Sequence, residues 1–464
     1  WFYSLLAMAA VIDKTPPFLQ NFGYGTLLAE DGRPMHKSSG NSIEFNEAAD
    51  KMGVDVMRWL YCSQRPEANL LFGFGRADEV RRQFLLPLWN VYSFFVTYAR
   101  LDGWEPAQQG FDPAAPEGET PVRANLLDRW ILARLNEVVL RCTSALEESD
   151  PCSATAAIDA LLEDLTNWYV RRSRRRFWKS EHDADKQTAY AVLYHVLVRL
   201  CRLLAPFTPF VMYQHLVRAE QPAAHTSIHH CDWPEAARAA IDADLLAQMD
   251  LARRVAALGL GARGSANIKV RQPLAKALVF SGGNGQAKLR EELAAVVRDE
   301  LNTKALEFVA DESTLVTYRV VADGKLLGPR LGSRFPAVRA ALAALDPAAV
   351  VRAVRAEQPV TVEVGGEPVE IAPTEIIVHT QPTAGLAVAN DKGITVAIYQ
   401  ISDRITVGLF GLTGDAGAAL ASLQDYLCEE TLCSTLLTED DGQAWDREDR
   451  VRVAGAEVRV AVRR

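Results

Sequence analysis

The sequence predicts a multidomain protein that combines the end of an α/β domain, an antiparallel helix bundle and an α+β region. An apolar helical run, a Pro-rich turn and a strand-like run fill the first 31 residues, as at the end of an alternating α/β unit. Four amphipathic helical stretches then follow within about 130 residues, which is typical of a bundle. Beyond residue 261, short strand-like runs alternate with helical ones, which indicates α+β structure.

Size and charge limit the class of protein. The chain has 464 residues, enough for about three domains at roughly 100–200 residues each. Its net charge of −9 argues against a basic coat, so a nucleic-acid partner would need a local patch. No run of about 18 uncharged apolar residues occurs, so no membrane span and no membrane partner are predicted. Because the chain begins at Trp1 and not at Met, we expect a fragment.

The cysteines predict reduced thiols and no structural zinc. There are seven, an odd number, and no Cys-x-x-Cys, which favours a cytoplasmic chain. Cys428 and Cys433 fall on a predicted helix without a second ligand pair. His229, His230 and Cys231 are adjacent and cannot all point at one ion.

The first 100 residues predict short elements followed by one long helix. A helix is expected over Trp1–Val11, where its apolar composition favours burial, and a strand around Tyr24–Leu28. Helical spacing over Phe45–Leu60, broken at Gly53, predicts two short helices. A long helix is predicted over Ala77–Arg100.

The bundle is predicted from capping residues and apolar stripes. Residues 102–121, rich in Gly, Pro and acids, indicate a surface linker. Asn125 or Asp128 can cap the next helix. Two more amphipathic helices are predicted over Ala156–Val170 and Thr188–Leu204.

The last 220 residues or so predict mixed structure. Helices are expected over residues 242–261, Lys288–Leu301 and Ala337–Ala344, and a hairpin about Gly455. The predicted strands are Ile268–Val270, Ala277–Phe280, Leu306–Val309, Tyr318–Val321, Val360–Val364 and Ile376–His379.

Residues 31–41, Asp-Gly-Arg-Pro-Met-His-Lys-Ser-Ser-Gly-Asn, form the first segment with chemical content. They follow a strand and place a basic and hydroxyl centre between glycines. Such a loop can present Lys37 and nearby backbone N–H groups to a polyphosphate. A solvated turn is the alternative.

Residues 167–178 form the second such segment. From Trp168 to Ser180 there are six cations, no acid and four aromatic residues. Clustered arginines bind phosphates through counterion release, and aromatic rings stack on unpaired bases. Alternatively, the rings face the core and the arginines pair with acids; we expect core packing for the rings and RNA or another domain for the arginines. The candidate arginines are Arg171, Arg172, Arg174, Arg175 and Arg176.

The loop resembles a known signature. Residues 34–38, followed by Gly-Asn, resemble the KMSKS signature of class I aminoacyl-tRNA synthetases. The second lysine of the signature falls on Lys37 and its final serine on Ser38. Pro34 replaces the first lysine, and His36 replaces the central serine.

This resemblance implies an ATP site. Lys37 would contact the triphosphate and stabilise charge on the departing pyrophosphate, with Mg²⁺ as a second cation. Met35, His36 and Ser38 would shape the loop around ATP. Arg33 is a possible substitute for the missing lysine.

Further segments narrow the resemblance to isoleucyl-tRNA synthetases. Residues 53–59 resemble the Gly-x-Asp-x-x-Arg run that follows KMSKS in the isoleucine, valine and leucine enzymes, and residues 205–210 resemble the Ala-Pro-x-x-Pro turn of their anticodon-binding bundle. Residues 167–178 and 269–274 resemble the isoleucine enzymes in particular. The resemblance extends to about Ile405, and the tail is similar to the branch without a C-terminal zinc site.

The resemblance implies a division of labour along the chain. Residues 1–44 would end a Rossmann-type catalytic domain, 45–80 form a stem-contact connector, 81–255 the helical anticodon-binding domain, and 256–464 an α+β tRNA-binding or junction region. Isoleucine, ATP and tRNA(Ile) would be the substrates of a cytoplasmic monomer. Because the HIGH motif, amino-acid pocket and editing domain lie upstream in the family, we expect no ATP–pyrophosphate exchange by this chain alone.

Three alternatives remain open, and one irregularity stands out. A valyl or leucyl enzyme would share the fold, and a non-catalytic tRNA-binding paralogue would explain Pro34 and His36. A helical scaffold for proteins is the third. The family usually has a charged helix between the pieces that meet near Ile398, so a shortened junction is expected there.

Overall fold

A computed structural model describes most of the chain. The described residues are 2–12, 14–105, 125–179, 183–212, 227–282, 288–399, 405–412, 414–424, 427–428, 433–453 and 456–463. Among them, no helix is both long enough and apolar enough to cross a membrane. The chain forms two compact units, Trp1–Leu246 and Ala247–Arg464. The finer four-part division stays a prediction.

The first helix, α1 (Phe2–Ile12), forms as predicted, but the expected burial is wrong. None of its residues is buried. The helix is apolar on every side, and the ring of Phe18 contacts Phe2 at one end, which covers little of its surface. Composition predicted an apolar helix without predicting what packs against it.

A small parallel strand pair follows. Strand β1 (Leu27–Ala29) pairs with β2 (Leu70–Phe72), so the strand expected around Tyr24–Leu28 begins later. The reason lies at Gly25, where an added Cβ would lie 2.3 Å from the carbonyl oxygen of Ala68. The backbones at Gly25 and Ala68 therefore contact each other closely, and regular strand pairing begins only after this point.

The break at Gly53 is confirmed. Helices α2 (Phe45–Met52) and α3 (Val54–Cys62) meet at Gly53, whose φ of 90° favours glycine. Glu44 caps α2 by accepting a hydrogen bond from the backbone N–H of Glu47. The two helices and the β2 region share a core of Ala48, Met52, Val56, Leu60, Leu70, Phe72 and Ala77.

Next comes one long helical stretch that begins slightly before its predicted start. It consists of α4 (Phe74–Val80), a π-helical turn (Arg81–Leu85) and α5 (Leu86–Leu101). Its buried side includes Phe84, Leu88, Val91, Tyr92 and Phe95. The linker expected over 102–121 lies almost wholly outside the described residues.

The predicted bundle of long helices is confirmed. Asn125 is the cap, accepting from the N–H of Leu127, whereas Asp128 is buried. The bundle helices are α6 (Leu126–Glu147), α7 (Pro151–Glu163), a π-helical turn (Asp164–Val170), α8 (Arg171–Trp178), α9 (Ala184–Leu204) and a short α10 (Pro209–Met212). Helix α9 packs against α5, α6 and α8 and forms the centre of the core.

The second unit contains two four-stranded sheets and two strand pairs. The sheet orders are β4-β3-β10-β9 and β12-β11-β14-β13, and β5 pairs with β8 and β6 with β7. The helices are α11 (Ala243–Ser265), α12 (Glu291–Leu301), α13 (Gly324–Leu331), α14 (Phe335–Ala344), α15 (Pro347–Arg355) and α16 (Gly414–Ser422). The strands are β3 (Leu274–Ser281), β4 (Thr303–Phe308), β5 (Val316–Ala322), β6 (Val360–Val364), β7 (Glu367–Ile371), β8 (Ile376–Pro382), β9 (Leu386–Asp391), β10 (Ile394–Tyr399), β11 (Ile405–Phe410), β12 (Cys433–Leu437), β13 (Arg447–Val453) and β14 (Ala456–Arg463).

One predicted strand of this unit, Ile268–Val270, is wrong. The segment is a turn. The buried guanidinium of Arg263 donates to the carbonyls of Lys269 and Gln272, and Asn302 Nδ2 donates to the carbonyl of Val270. These side chains take up the carbonyls that a strand would offer to a neighbour.

The C-terminal hairpin is confirmed, since β13 and β14 pair antiparallel. Cys433 lies on a strand, so its predicted helix is wrong, whereas Cys428 is helical. Within the described ranges, no group of three or more His, Cys, Asp or Glu side chains could hold a metal ion. Ile398, near which a shortened junction is expected, lies in β10, and residues 400–404 beyond it lie outside the described residues; that expectation stays a prediction.

Candidate functional site

The loop at residues 31–41 turns back on the end of β1. Ala29 N–H donates to the carbonyl of Arg33 over 2.8 Å, and Gly32 N–H donates to the carbonyl of Ala29. Gly32 has a φ of 80°, which favours glycine in this tight turn. The chain therefore leaves the strand and returns beside it, with Pro34 bridged to Leu28.

Asn41 fixes the far side of the loop, a role that sequence reasoning missed. Its Oδ1 accepts from the backbone N–H of His36 over 2.9 Å, and its Nδ2 donates to the carbonyl of Pro34 over 3.0 Å. Between these contacts, Lys37–Ser39 makes one 3₁₀ turn that ends at Gly40 with a φ of 69°. The feature of the sequence that could have indicated this role is Gly40-Asn41, which follows the KMSKS-like residues.

The loop anchors some predicted ATP-contacting residues and exposes others. Met35 is half-buried and packs against the core of α2 and α3. His36, Lys37 and Ser38 are exposed, and the Lys37 ammonium forms no hydrogen bond or ion pair with the part of the chain that the structure describes. The Nε of Arg33 lies 3.6 Å from Oδ2 of Asp31, and both side chains are exposed.

The Gly-x-Asp-x-x-Arg segment grips the Ala-Pro-x-x-Pro turn of the bundle. Arg58 donates from Nε to the carbonyl of Phe207 over 2.8 Å and from Nη2 to the carbonyl of Pro206 over 2.5 Å. Buried Asp55 accepts from the backbone N–H of Phe210 over 3.4 Å. Both side chains of this helix therefore engage the turn.

An aromatic stack reinforces this contact. The rings of Trp59 and Phe84 are parallel, with centroids 3.6 Å apart, and Phe207 meets Trp59 edge-on at 5.9 Å. All three residues are buried. Helix α3, the π turn of the long helix and the bundle turn therefore form one packed joint.

Three of the four aromatic residues of the basic segment lie in the core, and the fourth lies at the surface. Trp168, Tyr169 and Phe177 are buried, whereas Trp178 is 55% exposed. The expectation of core packing is confirmed for three of the four rings. Tyr169 reaches Asp128 of α6, and Phe177 packs edge-on against Tyr190 of α9.

Arg176 differs from the other arginines of the segment. Its guanidinium donates to both carboxylate oxygens of the fully buried Asp128, each over 2.8 Å, and lies 2.8 Å from Asp185. Although burial lowers it, the hydrogen bonds and charge of Asp128 raise the net pKa of Arg176. Tyr169 also donates to Asp128 over 2.7 Å. Asp128, which the sequence offered only as a cap, is the centre of a buried network.

The remaining arginines lie nearer to solvent. Arg171, Arg174 and Arg175 are exposed and Arg172 is half-buried. Arg171 donates to the carbonyl of Asn167 over 2.7 Å and lies 5.9 Å from the ring centre of Trp168. The segment therefore presents arginine side chains to solvent, one of them beside the ring of Trp168.

Two family models match these parts of the chain. The model described as "tRNA synthetases class I (I, L, M and V)" matches residues 1–70, and the model described as "Anticodon-binding domain of tRNA ligase" matches residues 128–278. The loop and most of the connector therefore lie in a segment that matches class I tRNA synthetases, and the bundle from residue 128 onward lies in a segment that matches anticodon-binding domains.

Relatives with curated names narrow that class. The isoleucine–tRNA ligase of Thermus thermophilus is 37% identical over 86% of this chain and 38% of its own length. That of Dehalococcoides mccartyi is 45% identical over 66% of the chain and 30% of its own length. That of Clostridium novyi is 30% identical over the whole chain and 46% of its own length. The chain belongs to the isoleucine–tRNA ligase family and spans less than half the length of these relatives.

Proposed function

We propose that this chain supplies the ATP-contacting loop and the tRNA-binding surface of an enzyme that joins isoleucine to tRNA(Ile) through isoleucyl-adenylate. The observation that carries the proposal is the packed joint, where Asp55 and Arg58 from one family motif hold the turn at residues 206–210 from another. A valyl or leucyl enzyme is not favoured, because the relatives described above are all isoleucine–tRNA ligases.

The loop geometry supports an electrostatic role for Lys37. Attack of the isoleucine carboxylate on the α-phosphate of ATP breaks the bond to pyrophosphate, which leaves with additional negative charge. A cation fixed beside that position lowers the energy of the transition state. The Asn41 contacts fix the loop, and the Lys37 side chain extends from it into solvent.

The other proposed ATP contacts are more limited. The backbone N–H of His36 already donates to Asn41, so His36 would contact ATP through its imidazole. Met35 acts as the anchor of the loop, and the Ser38 hydroxyl is exposed for phosphate. We propose that Mg²⁺ arrives bound to ATP.

For tRNA, we propose phosphate contacts by four arginines and a structural role for the fifth. Arg171, Arg172, Arg174 and Arg175 are the proposed contacts, because they lie on the solvent side or at the edge of the bundle. Arg176 is engaged with Asp128 and Asp185. We also propose a cytoplasmic monomer; the odd number of cysteines and the lack of a Cys-x-x-Cys support the compartment.

The test of the chemistry is ATP–pyrophosphate exchange by a protein of the relatives' length that contains this chain. Lys37→Ala is expected to slow exchange by about 10²-fold, the usual effect of losing one transition-state contact, with little change in the KM for isoleucine. Lys51→Ala is the matched control, because Lys51 is an exposed lysine paired with Glu47 on α2. Equal rates for the two variants would contradict the role of Lys37.

The test of the partner is binding of tRNA(Ile), compared with tRNA(Val), by the purified 464-residue chain. Preference for tRNA(Ile) that survives Lys37→Ala is expected, because binding and chemistry use different residues. No exchange by the longer protein, combined with intact tRNA binding, would favour the non-catalytic paralogue, which the replacements at Pro34 and His36 already suggest.

A further inference from the structure

The turn that begins the loop at residues 31–41 meets the start of α4. Strands β1 and β2 run parallel, with Ala29 opposite Phe72. The chain leaves β1 at Glu30 and enters α4 at Gly73, each one residue beyond this pair. Because parallel strands end at the same edge of a sheet, the start of the loop and the start of the helix lie side by side.

Glu30 caps α4 from this position. The first N–H groups of a helix have no partner inside it, and a side chain at the preceding residue usually accepts from one of them. In α4 that residue is Gly73, which has no side chain. Instead, Oε1 of Glu30 accepts from the backbone N–H of Arg76 over 2.8 Å, although the two residues are 46 positions apart.

Two glycines make room for the Glu30 side chain. A Cβ added at Gly73 would lie 2.3 Å from Cγ of Glu30, and one added at Gly75 would lie 2.8 Å from its Oε1. Both distances are shorter than atoms that are not bonded to each other can approach. A larger residue at Gly73 would therefore displace Glu30, so the start of α4 is shaped to receive this side chain.

This contact ties the loop to another element. Glu30 and Asp31 are the central residues of the turn that closes when Gly32 N–H donates to the carbonyl of Ala29. The two contacts of Asn41 join loop residues to each other and so determine the shape of the loop. The bond from Glu30 to α4 determines where the first turn of the loop lies relative to the rest of the domain.

We propose that Glu30 is a positioning residue for the reaction, because its bond to the start of α4 fixes the place at which the loop presents Lys37 to ATP. The proposal rests on the role proposed above for Lys37. A cation stabilises a transition state only where it lies close to the developing charge, and a displacement on the order of 1 Å can slow a reaction substantially.

The first test is ATP–pyrophosphate exchange by a protein of the relatives' length that contains this chain. Glu30→Ala is expected to lower kcat about 10-fold with little change in either KM, because a displaced cation weakens binding of the transition state and not of the substrates. Glu30→Gln keeps an oxygen acceptor at the same reach and should retain most of the rate. The control is Glu79→Ala, which removes a carboxylate of α4 that pairs with the Arg76 side chain, and it should match the wild type.

A double substitution separates positioning from a merely structural role. In the Lys37→Ala background, Glu30→Ala should cause no further loss of rate, because the group that Glu30 positions is already absent. A residue that only stabilised the fold would slow the reaction by the same factor in both backgrounds. Equal slowing in both backgrounds, or a wild-type kcat in Glu30→Ala, would overturn the proposal.

Gly73→Ala tests the same contact from the helix side. It should reproduce the slower exchange of Glu30→Ala and add nothing when the two are combined, since the side chain that it displaces is then absent. Hydrogen exchange of the Arg76 amide, measured in the 464-residue chain, should accelerate in both variants and not in Glu30→Gln. Because Glu30 is exposed, the melting temperature of Glu30→Ala should stay near that of the wild type. An Arg76 amide that exchanges equally fast in Glu30→Ala and the wild type would refute the contact.

The outcomes distinguish this inference from the wider proposal. If the wild-type protein shows no exchange, or Lys37→Ala exchanges at the wild-type rate, the proposed function fails and the role of Glu30 fails with it. If Lys37→Ala slows exchange and Glu30→Ala does not, the positioning role fails alone.

Discussion

At the scale of single residues, five arginines of one segment have different surroundings. Arg172 and Arg176 are four positions apart and share a helix face that turns toward the bundle, whereas Arg171, Arg174 and Arg175 lie on exposed faces. The surroundings of the arginines differ because the arginines point in different directions around the helix axis. Side-chain chemistry is the same in all five, so the neighbours of each face decide which arginine is structural.

Arg176→Ala is expected to destabilise the chain by about 3–5 kcal/mol. Removing one partner leaves the fully buried carboxylate of Asp128 without its main compensating charge. Urea unfolding, followed by tryptophan fluorescence, measures the change. Arg175→Ala is the control, with an expected change within about 0.5 kcal/mol; similar losses in both variants would contradict the structural role of Arg176.

His195 is expected to make the chain less stable on acidification below about pH 6.5. Burial, and then the charges of Arg199 and Arg202, lower the pKa of His195 to about 3. The unfolded chain therefore binds a proton that the folded chain excludes, and stability falls by up to about 1.4 kcal/mol for each pH unit below 6.5.

The contribution of His195 is isolated by comparing variants between pH 7 and pH 5. His195→Gln should reduce the loss of unfolding free energy over that interval by about 2 kcal/mol, and exposed His229→Gln should not. Burial raises the pKa of Asp159 to about 6, which has the opposite sign because the folded chain then binds the proton more readily. An unchanged slope in His195→Gln would count against the assignment.

At the scale of elements, the joint between α3 and the bundle turn connects the loop region to the helices for which tRNA binding is proposed. Met35 packs on the core of α2 and α3, and α3 in turn holds the turn through Arg58 and Asp55. The elements on both sides were predicted from the sequence, but the residues that join them were not. Arg58 and Phe207 are 149 residues apart, and no local pattern reports such a contact.

Arg58→Lys is expected to loosen the turn at residues 206–210. Lysine keeps the charge but cannot reach two carbonyls with a planar fork, so about 1.5–3 kcal/mol of hydrogen bonding to a charged group is lost. Hydrogen exchange of the backbone amides of Phe207 and Phe210 should accelerate. Arg82→Lys on the neighbouring helix is the control, and equal protection in both variants would show that the grip is unimportant.

Other elements show which features local sequence patterns predict and which they do not. The break at Gly53 was predicted correctly, and Asn125 was one of the two caps considered, because caps and glycine breaks act within a few residues. The strand expected at Ile268–Val270 failed because Arg263 and Asn302 collect its carbonyls from other segments. Helices α13 and α15 and strands β7 and β9 were not predicted at all, since short elements carry weak periodicity.

At the scale of the whole molecule, an acidic chain carries a local basic face. The net charge is −9, yet six cations and no acid lie between Trp168 and Ser180. The proposed attraction of tRNA would rest on the arginines of this segment that lie near solvent, against the average charge, and it should depend strongly on salt.

The salt dependence of tRNA binding is expected to give a log–log slope of about −3. Four arginines that each neutralise one phosphate, at roughly 0.7–0.9 counterions per contact, give this value. Replacing Arg174 and Arg175 by alanine should reduce the slope by about 1.5, whereas replacing both by lysine should preserve it. A slope near zero would contradict phosphate binding by this face.

The sequence by itself determined the features that depend on neighbours in the chain. Helical spacing gave the bundle, glycines and caps gave its breaks, and the loop and arginine motifs gave the family and the candidate residues. Only the tertiary structure decided which residues have partners far away in the sequence, such as Arg176 with Asp128 and Arg58 with Phe207. The physical reason is the distance along the chain over which each effect acts. Backbone preferences act over a few residues, whereas burial and ion pairing depend on which surfaces meet after the chain has folded.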